Sequence, residues 1–297
     1  MKIMLKNIDG HLKKIILLII ILLTSYTFFA LTNFYNASSG GVYSLTYSRF
    51  YSSVSCPQWQ TLPLSNISFA REALPSRFKL IVWNIYKYQA PQWQATLDKL
   101  SKNADLLLLQ EAKGNKEINQ YWLTRGWYGE LANAFQIGDS TFGVQTLAKV
   151  MAQKVCVNLT AEPYIRFPKS TLAVTYPWQG SDLPLLVINI HGINFTLGTE
   201  TLKAQLSPLL RAVDAHKGPV IVAGDLNTWS QDRIDLVERS FIALGLRSVN
   251  LEPDHRLRVM GMPLDHVYFR GLNVERAFSS LDPGSDHQPL IMMFSPL

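Results

Sequence analysis

The sequence predicts an α/β sandwich built on mixed sheets. Three observations carry that expectation: from residue 78 onward short apolar runs recur to the end of the chain, segments of helical length interrupt them irregularly, and no internal repeat or low-complexity tract organises the whole. Regular alternation of strand and helix, the mark of a purely parallel sheet, is missing, so strands are expected to pair in both senses. At 297 residues the chain has room for one large core and an appendage.

The first predicted element stands apart from the sandwich. Lys2, Lys6, Lys13 and Lys14 precede a mostly apolar run over 15–32, which at about 1.5 Å per residue is just long enough to cross a bilayer core. Residues 15–23 are apolar on every face, unlike an amphipathic helix that packs on a core. Lysines ahead of the run leave the start of the chain in the cytoplasm and send the remainder outside. In a bacterium that means the inner membrane, with the remainder of the chain in the periplasm. Phe28 and Tyr35 stand two positions before Ala30 and Ala37, where a cleavage site wants small residues, so an uncleaved signal anchor is expected over 1–34. Cleavage of a signal peptide instead would leave a soluble periplasmic or secreted protein.

The anchor also qualifies the charge. Of the formal +6, the first 40 residues contribute +3, through those four lysines against Asp9. A pI near 9.2 is therefore not independent evidence for a nucleic-acid partner. Residues 35–77 are rich in Ser, Asn and Tyr, contain Gly40-Gly41 and keep no period, and read as a linker or lead-in. The third unit, 78–297, is the main predicted folded domain. Cys56 and Cys156 suit neither a disulfide framework nor a zinc site; in an oxidising compartment they either pair or remain buried thiols.

Within 78–297 the apolar runs predict strands over 78–85, 106–109, 142–150, 171–175, 185–190, 220–223, 265–269 and 290–293. Helices are expected over 92–103, 199–215 and 232–244, the second kinked or broken near Pro208.

Polar residues gather at the ends of these runs. Asn84 ends one, Gln110-Glu111 follows four leucines, His191 ends 186–190, Asp225-Leu226-Asn227 follows 220–224, and Ser285-Asp286-His287 precedes the last strand while Asp265 opens the one before. Taken singly, each is at home as a turn or helix cap, a solvated carboxylate or a core histidine. Together they are harder to dismiss, because strands lying side by side would bring these ends to one rim. Carboxylate and amide oxygens of Glu111, Asn84, Asp225, Asn227 and Asp286 form a hard set suited to Mg²⁺ or Mn²⁺. His191 and His287 suit phosphoryl contact or proton transfer, and Asp265 could fix the tautomer of His287. Metal, water, histidine and acid are the parts that phosphate-ester hydrolysis needs.

At this point the chain resembles the endonuclease/exonuclease/phosphatase superfamily, the DNase I-like group that includes nucleases, sphingomyelinases and inositol-polyphosphate phosphatases. The resemblance rests on Val82-Trp83-Asn84-Ile85, Leu109-Gln110-Glu111, Asn189-Ile190-His191, Gly224-Asp225-Leu226-Asn227, Leu264-Asp265-His266 and Ser285-Asp286-His287-Gln288-Pro289, in the family's order. Val82 to Lys87 and Phe269 to Val274 look closest to its YafD-like bacterial branch. The resemblance implies a four-layer α/β/β/α sandwich of two packed sheets with the site at one end. It implies that Glu111 and Asn84 hold the divalent metal, with Asp286 completing the shell. Asp225 and Asn227 would orient water and phosphoryl oxygens, and His191 would contact phosphate or protonate the leaving group. His287, held by Asp265, would act as acid/base or charge stabiliser, and Lys169-Ser170 resembles a phosphate-contacting position. Whether Asp225 or His287 takes the water's proton stays open.

Two departures narrow the resemblance. Tyr86 stands where some nucleases of the group place a second metal-binding Asp, so one metal is expected. Gly261-Met262-Pro263-Leu264 lacks the longer signature of the inositol-polyphosphate 5-phosphatases. P-loop, GxGxxG and GxSxG motifs are absent from the sequence.

The expected activity is a metal-dependent phosphodiesterase, with a nuclease as the leading substrate reading. Lys113, Lys116, Arg233, Arg256, Arg258 and Arg270, beside Trp229 and Trp178, would supply the basic track and stacking platforms a nucleic acid needs. A phospholipid or sphingolipid headgroup hydrolase is the alternative, with Trp122, Trp127 and Tyr128 as aromatic contacts to a bilayer. A membrane-tethered, non-catalytic binding domain is the alternative of another class. No obligate protein partner is expected.

Overall fold

The computed structural model describes residues 36–52, 55–63, 72–164 and 166–297, together with Ile19. The predicted anchor over 15–32 otherwise lies outside these residues. Among the described residues no helix is long and apolar enough to cross a membrane.

Two mixed sheets pack face to face. The strands are β1 (Asn36–Ser44), β2 (Arg49–Ser52), β3 (Gln60–Thr61), β4 (Phe78–Asn84), β5 (Leu106–Gly114), β6 (Tyr128–Ile137), β7 (Ser140–Ala148), β8 (Lys154–Ala161), β9 (Pro168–Tyr176), β10 (Leu185–His191), β11 (Val220–Asp225), β12 (Arg247–Ser248), β13 (Arg258–Val259), β14 (Met262–Pro263), β15 (Asp265–Arg270), β16 (Asn273–Ser279) and β17 (Leu290–Ser295). The first sheet runs β16-β17-β4-β5-β7-β6-β1-β2, and the second β12-β15-β11-β10-β9-β8-β3. Pairing is parallel between β4 and β5 and between β10 and β11, and antiparallel at the other joins of these two sheets.

Side-chain alternation explains the layers. Leu80 and Val82 of β4, with Leu106 and Leu108 of β5, face Val187, Ile221 and Ala223 across the sandwich, whereas Ile81, Trp83, Leu107 and Leu109 point outward. Helices α1 (Trp93–Ser101) and α2 (Lys116–Leu123) cover that outer face with Leu97, Leu100, Ile118 and Trp122. On the other side α3 (Glu200–Ala215) and α4 (Gln231–Ile242) bury Leu202, Leu206, Leu209, Val237 and Phe241 against the outer face of β10 and β11. Both faces of the central strands are covered, which is why their sequences read as unbroken apolar runs.

Two expectations change and one open alternative is decided. Residues 36–61, read as a linker, supply β1, β2 and β3, with β1 paired to β6 and β3 to β8. The Ser/Gly/Tyr composition hid strands whose inward positions, such as Val42, are fully buried. Helix α3 runs unbroken through Pro208, which is itself buried, because Leu206, Leu209 and Val213 hold the helix to the sheet. Finally, Cys56 and Cys156 form a disulfide, with Cα atoms 5.1 Å apart. It ties the segment before β3 to β8 across 100 residues of sequence.

Candidate active site

The ends of five central strands converge at one end of the sandwich. In the second sheet the register sets His191, Asp225 and Asp265 abreast on β10, β11 and β15. In the first, Asn84 lies beside Gln110. The β11 end needs a glycine: Gly224 has φ +143°, and an added Cβ would stand 2.0 Å from the carbonyl oxygen of Ile190.

One oxygen joins the two rows. Asp225 Oδ2 accepts from Asn84 Nδ2 at 3.1 Å, with His191 Nε2 at 3.6 Å and His287 Nε2 at 3.9 Å. Asp225 Oδ1 accepts the backbone N–H of Asn227 at 2.9 Å. His287 Nδ1 meets Asp265 Oδ2 at 2.8 Å, and the indole of Trp83 donates to the His287 carbonyl at 2.9 Å.

Glu111 reaches the cluster through a bulge. The pairing of β5 with β7 slips between Leu109 and Ala112, and Glu111 takes φ 52° there, which turns its carboxylate toward His191, 3.9 Å from Nε2. Under the bulge, Asn189 of the opposite sheet donates to the carbonyls of Leu109 and Gln145 and accepts from Gln110 Nε2 at 2.7 Å. That buried amide replaces ladder bonds the bulge forfeits.

Two ammonium groups enter the same space. Lys169 Nζ lies 2.7 Å from His191 Nε2, and Lys87 Nζ is ion-paired with Glu111 Oε2. Lys87 was not anticipated from sequence. It sits in a left-handed turn, Tyr86, Lys87 and Tyr88 having φ 49°, 54° and 60°, which costs about 1–2 kcal/mol per residue. Nothing in the residue types signals that turn; the only available hint was a lysine three positions after Asn84.

Burial, then the charge of Asp265, raise the Asp225 carboxyl to about 6 against the pull of His287 and Lys169. For His287 burial alone would lower the value, but the charge and hydrogen bond of Asp265, joined by Asp225 and Asp286, lift it to about 10. It is therefore an imidazolium at neutral pH. His191 lies well below its ordinary value because of burial and the nearby Lys169, His287 and Lys87, so its neutral Nε2 accepts from Lys169. Burial lowers Lys169 against Asp225, Glu111 and Glu162.

The remaining anticipated residues fall in different places. Asn227 has φ 51° and donates its amide to the Gly192 carbonyl at 2.9 Å, so it braces the rim. Ser170 is buried and accepts the N–H of Val144 at 3.0 Å, tying the two sheets together. Asp286 is exposed and accepts from Ser285 Oγ at 3.1 Å, with no bond to Glu111 or Asn84 among the described residues. Four of the six residues anticipated as a basic track are engaged within the fold. Arg233 is fully buried on the carbonyls of Asn227 and Ile193, Arg256 and Arg258 are paired with Asp254, and Arg270 donates to the carbonyls of Leu244, Val213 and His216. Trp122, Trp127 and Trp178 are buried packing residues.

The donor set fits a hard divalent cation bound with few protein ligands. Glu111 offers a carboxylate and Asn84 a carboxamide oxygen that also accepts the Tyr86 N–H at 3.2 Å, and Mg²⁺ keeps several waters in such sites. Among the described residues no group of three or more His, Cys, Asp or Glu has the geometry to hold a metal by itself. An ion at Glu111 would share that carboxylate with the Lys87 ammonium.

Comparison with known proteins agrees with this geometry. The model of the endonuclease/exonuclease/phosphatase family matches residues 81–287. A UPF0294 protein of Vibrio vulnificus is 41% identical over 220 residues, covering 74% of this chain and 77% of its own. A crystal structure of an endonuclease/exonuclease/phosphatase from Beutenbergia cavernae superposes with TM-score 0.56 at 17% identity, over 74% of this chain and 72% of that one. The human Nocturnin catalytic domain with bound sulfate anion superposes with TM-score 0.57 at 19% identity, over 76% and 96%.

Proposed function

Because the chain belongs to the endonuclease/exonuclease/phosphatase family, and is similar to its UPF0294 relatives, we propose that it hydrolyses a phosphodiester with a divalent cation, Mg²⁺ or Mn²⁺, and an activated water. Members of the family are phosphoric ester hydrolases and generally use such metals. The observation that carries the proposal is the meeting of Asn84, His191 and His287 on the single oxygen Asp225 Oδ2.

The chain's own groups divide the work. Glu111 and Asn84 would hold the cation, which when bound polarises the phosphoryl group. Asp225, its carboxyl raised to about 6, is ionised at neutral pH yet basic enough to take the water's proton. His287 is already protonated and cannot be that base; its Nε2–H stabilises charge building on the phosphoryl oxygens. Lys169 and Lys87 neutralise the phosphate on its other side, with neutral His191 fixing the Lys169 ammonium. The apolar run over 15–32 would hold this domain at the outer face of a bacterial inner membrane.

The full chain, assayed with Mg²⁺ and with EDTA against bis(4-nitrophenyl) phosphate, DNA, RNA and phospholipids, tests the reading. Hydrolysis that EDTA abolishes, and that falls about 10²–10⁴-fold in Glu111→Ala and His287→Ala while both stay folded, is expected. Partner binding without turnover in the wild type would instead support the non-catalytic alternative.

A further inference from the structure

We propose that the end of the sandwich bearing this site is a bilayer-docking face, whose two apolar clefts receive the acyl part of an amphiphilic phosphodiester. Its substrate half rests on the hydrolase reading above, and its docking half on the membrane anchor proposed there.

The clefts flank the polar cluster. One, of about 520 Å³, is floored by Lys87, Glu111, Lys169 and His191 and walled by Phe135, Phe142, Phe167 and Ile137. The other, of about 460 Å³, reaches from Asn227 to Tyr164, Trp229, Leu197 and Met260. They share Asn194 and Phe195, so apolar surface runs past the site without a break. Leu197 is 87% exposed, Met260 81%, Tyr164 69% and Phe195 53%. Scattered exposed apolar side chains need no explanation, but a contiguous rim around a reaction centre does.

These side chains are presented by rigid devices. Loop 192–198 is clamped from beneath by two buried charged groups. Glu162 accepts the N–H groups of Asn194 and Phe195 at 2.7 and 3.0 Å, and Arg233 donates to the Ile193 carbonyl and to Thr196 Oγ1. The two-residue turn between β13 and β14 puts Met260 at φ 51°, where Asn, Asp or Gly sits more easily, so methionine there is not a turn requirement.

Chain geometry names the occupant. Asn36 opens β1 opposite Gln136, and Ala37 opposite Phe135, next to Ile137 at the mouth of the first cleft. Only residues 33–35 separate Asn36 from the apolar run over 15–32, a span of at most roughly 14 Å. An anchor that short brings this end of the domain to the bilayer, and the lysines beside the first cleft suit an anionic headgroup phosphate.

The test uses the full chain in nanodiscs of phosphatidylethanolamine and phosphatidylglycerol. With both native cysteines in the disulfide, Leu197→Cys, Met260→Cys, Ile242→Cys and Leu183→Cys can each carry a polarity-sensitive dye. A blue shift on reconstitution at positions 197 and 260, and none at the exposed positions 242 and 183 away from the clefts, is expected. Absence of a shift at 197 and 260, failure of the chain to associate with the discs, a shift produced by single-stranded DNA instead of lipid, or labels already blue-shifted without lipid would each overturn docking. Hydrolysis of bis(4-nitrophenyl) phosphate is measured in the same samples. A lipid-induced shift without any hydrolysis leaves docking standing and removes the hydrolase reading; hydrolysis without a shift does the reverse.

Discussion

Asp225 is where the two sheets touch chemically, and its neighbours determine which group can move a proton. The pairing of His287 with Asp265 at 2.8 Å keeps the ring cationic, so in the proposed mechanism the base is Asp225. Replacing Asp265 by Asn removes the largest contribution that offsets burial, so the His287 value should fall well below about 10. Imidazole resonances followed by NMR across pH 5–10 check this, and an unmoved titration would show that Asp265 is not what holds the proton. Turnover should also drop at neutral pH and recover partly on acidification.

Elements differ in how openly the sequence announces them. Central strands β4, β10 and β11 are apolar on both faces and were readable as such, and the polar residues at their ends marked the site. Strand β6 was not, since Glu130 and Asn133 interrupt it yet are buried. Strand β1 and the edge strand β2 were missed because their Ser/Gly/Tyr composition resembles a linker and most of β2 faces solvent. Lys87 depends on a left-handed turn, and the loop carrying Leu197 depends on the Glu162 and Arg233 clamp, so no local pattern could reveal them. The disulfide belongs to this scale as well, stapling the lead-in to β8. Replacing both cysteines by serine should cost about 2–5 kcal/mol, measured by urea unfolding. Unchanged stability would mean that the staple constrains little in the unfolded chain.

For the molecule as a whole, the polar layer between the sheets makes stability depend on pH. Burial raises Glu130 to about 8, with only Ser44 donating to one of its oxygens. A raised carboxyl keeps its proton in the folded state after the unfolded chain has lost it near 4.5. The unfolded state then binds fewer protons, and stability falls as pH rises from about 4.5 to about 8, by up to about 1.4 kcal/mol per pH unit. Thermal melts of wild type and Glu130→Gln at pH 5 and pH 8 isolate this. The variant should gain at pH 8 relative to pH 5, and parallel curves would exclude the effect.

The same scale carries the central assignment, that strand ends from two sheets form one hydrolytic site. The most direct measurement is the Mg²⁺-dependent turnover of bis(4-nitrophenyl) phosphate by the full chain and by Asp225→Asn, with melting curves confirming that both are folded. Wild-type turnover lost to EDTA and reduced at least about 10²-fold in Asp225→Asn is the expected result. A folded variant as active as the wild type would contradict it.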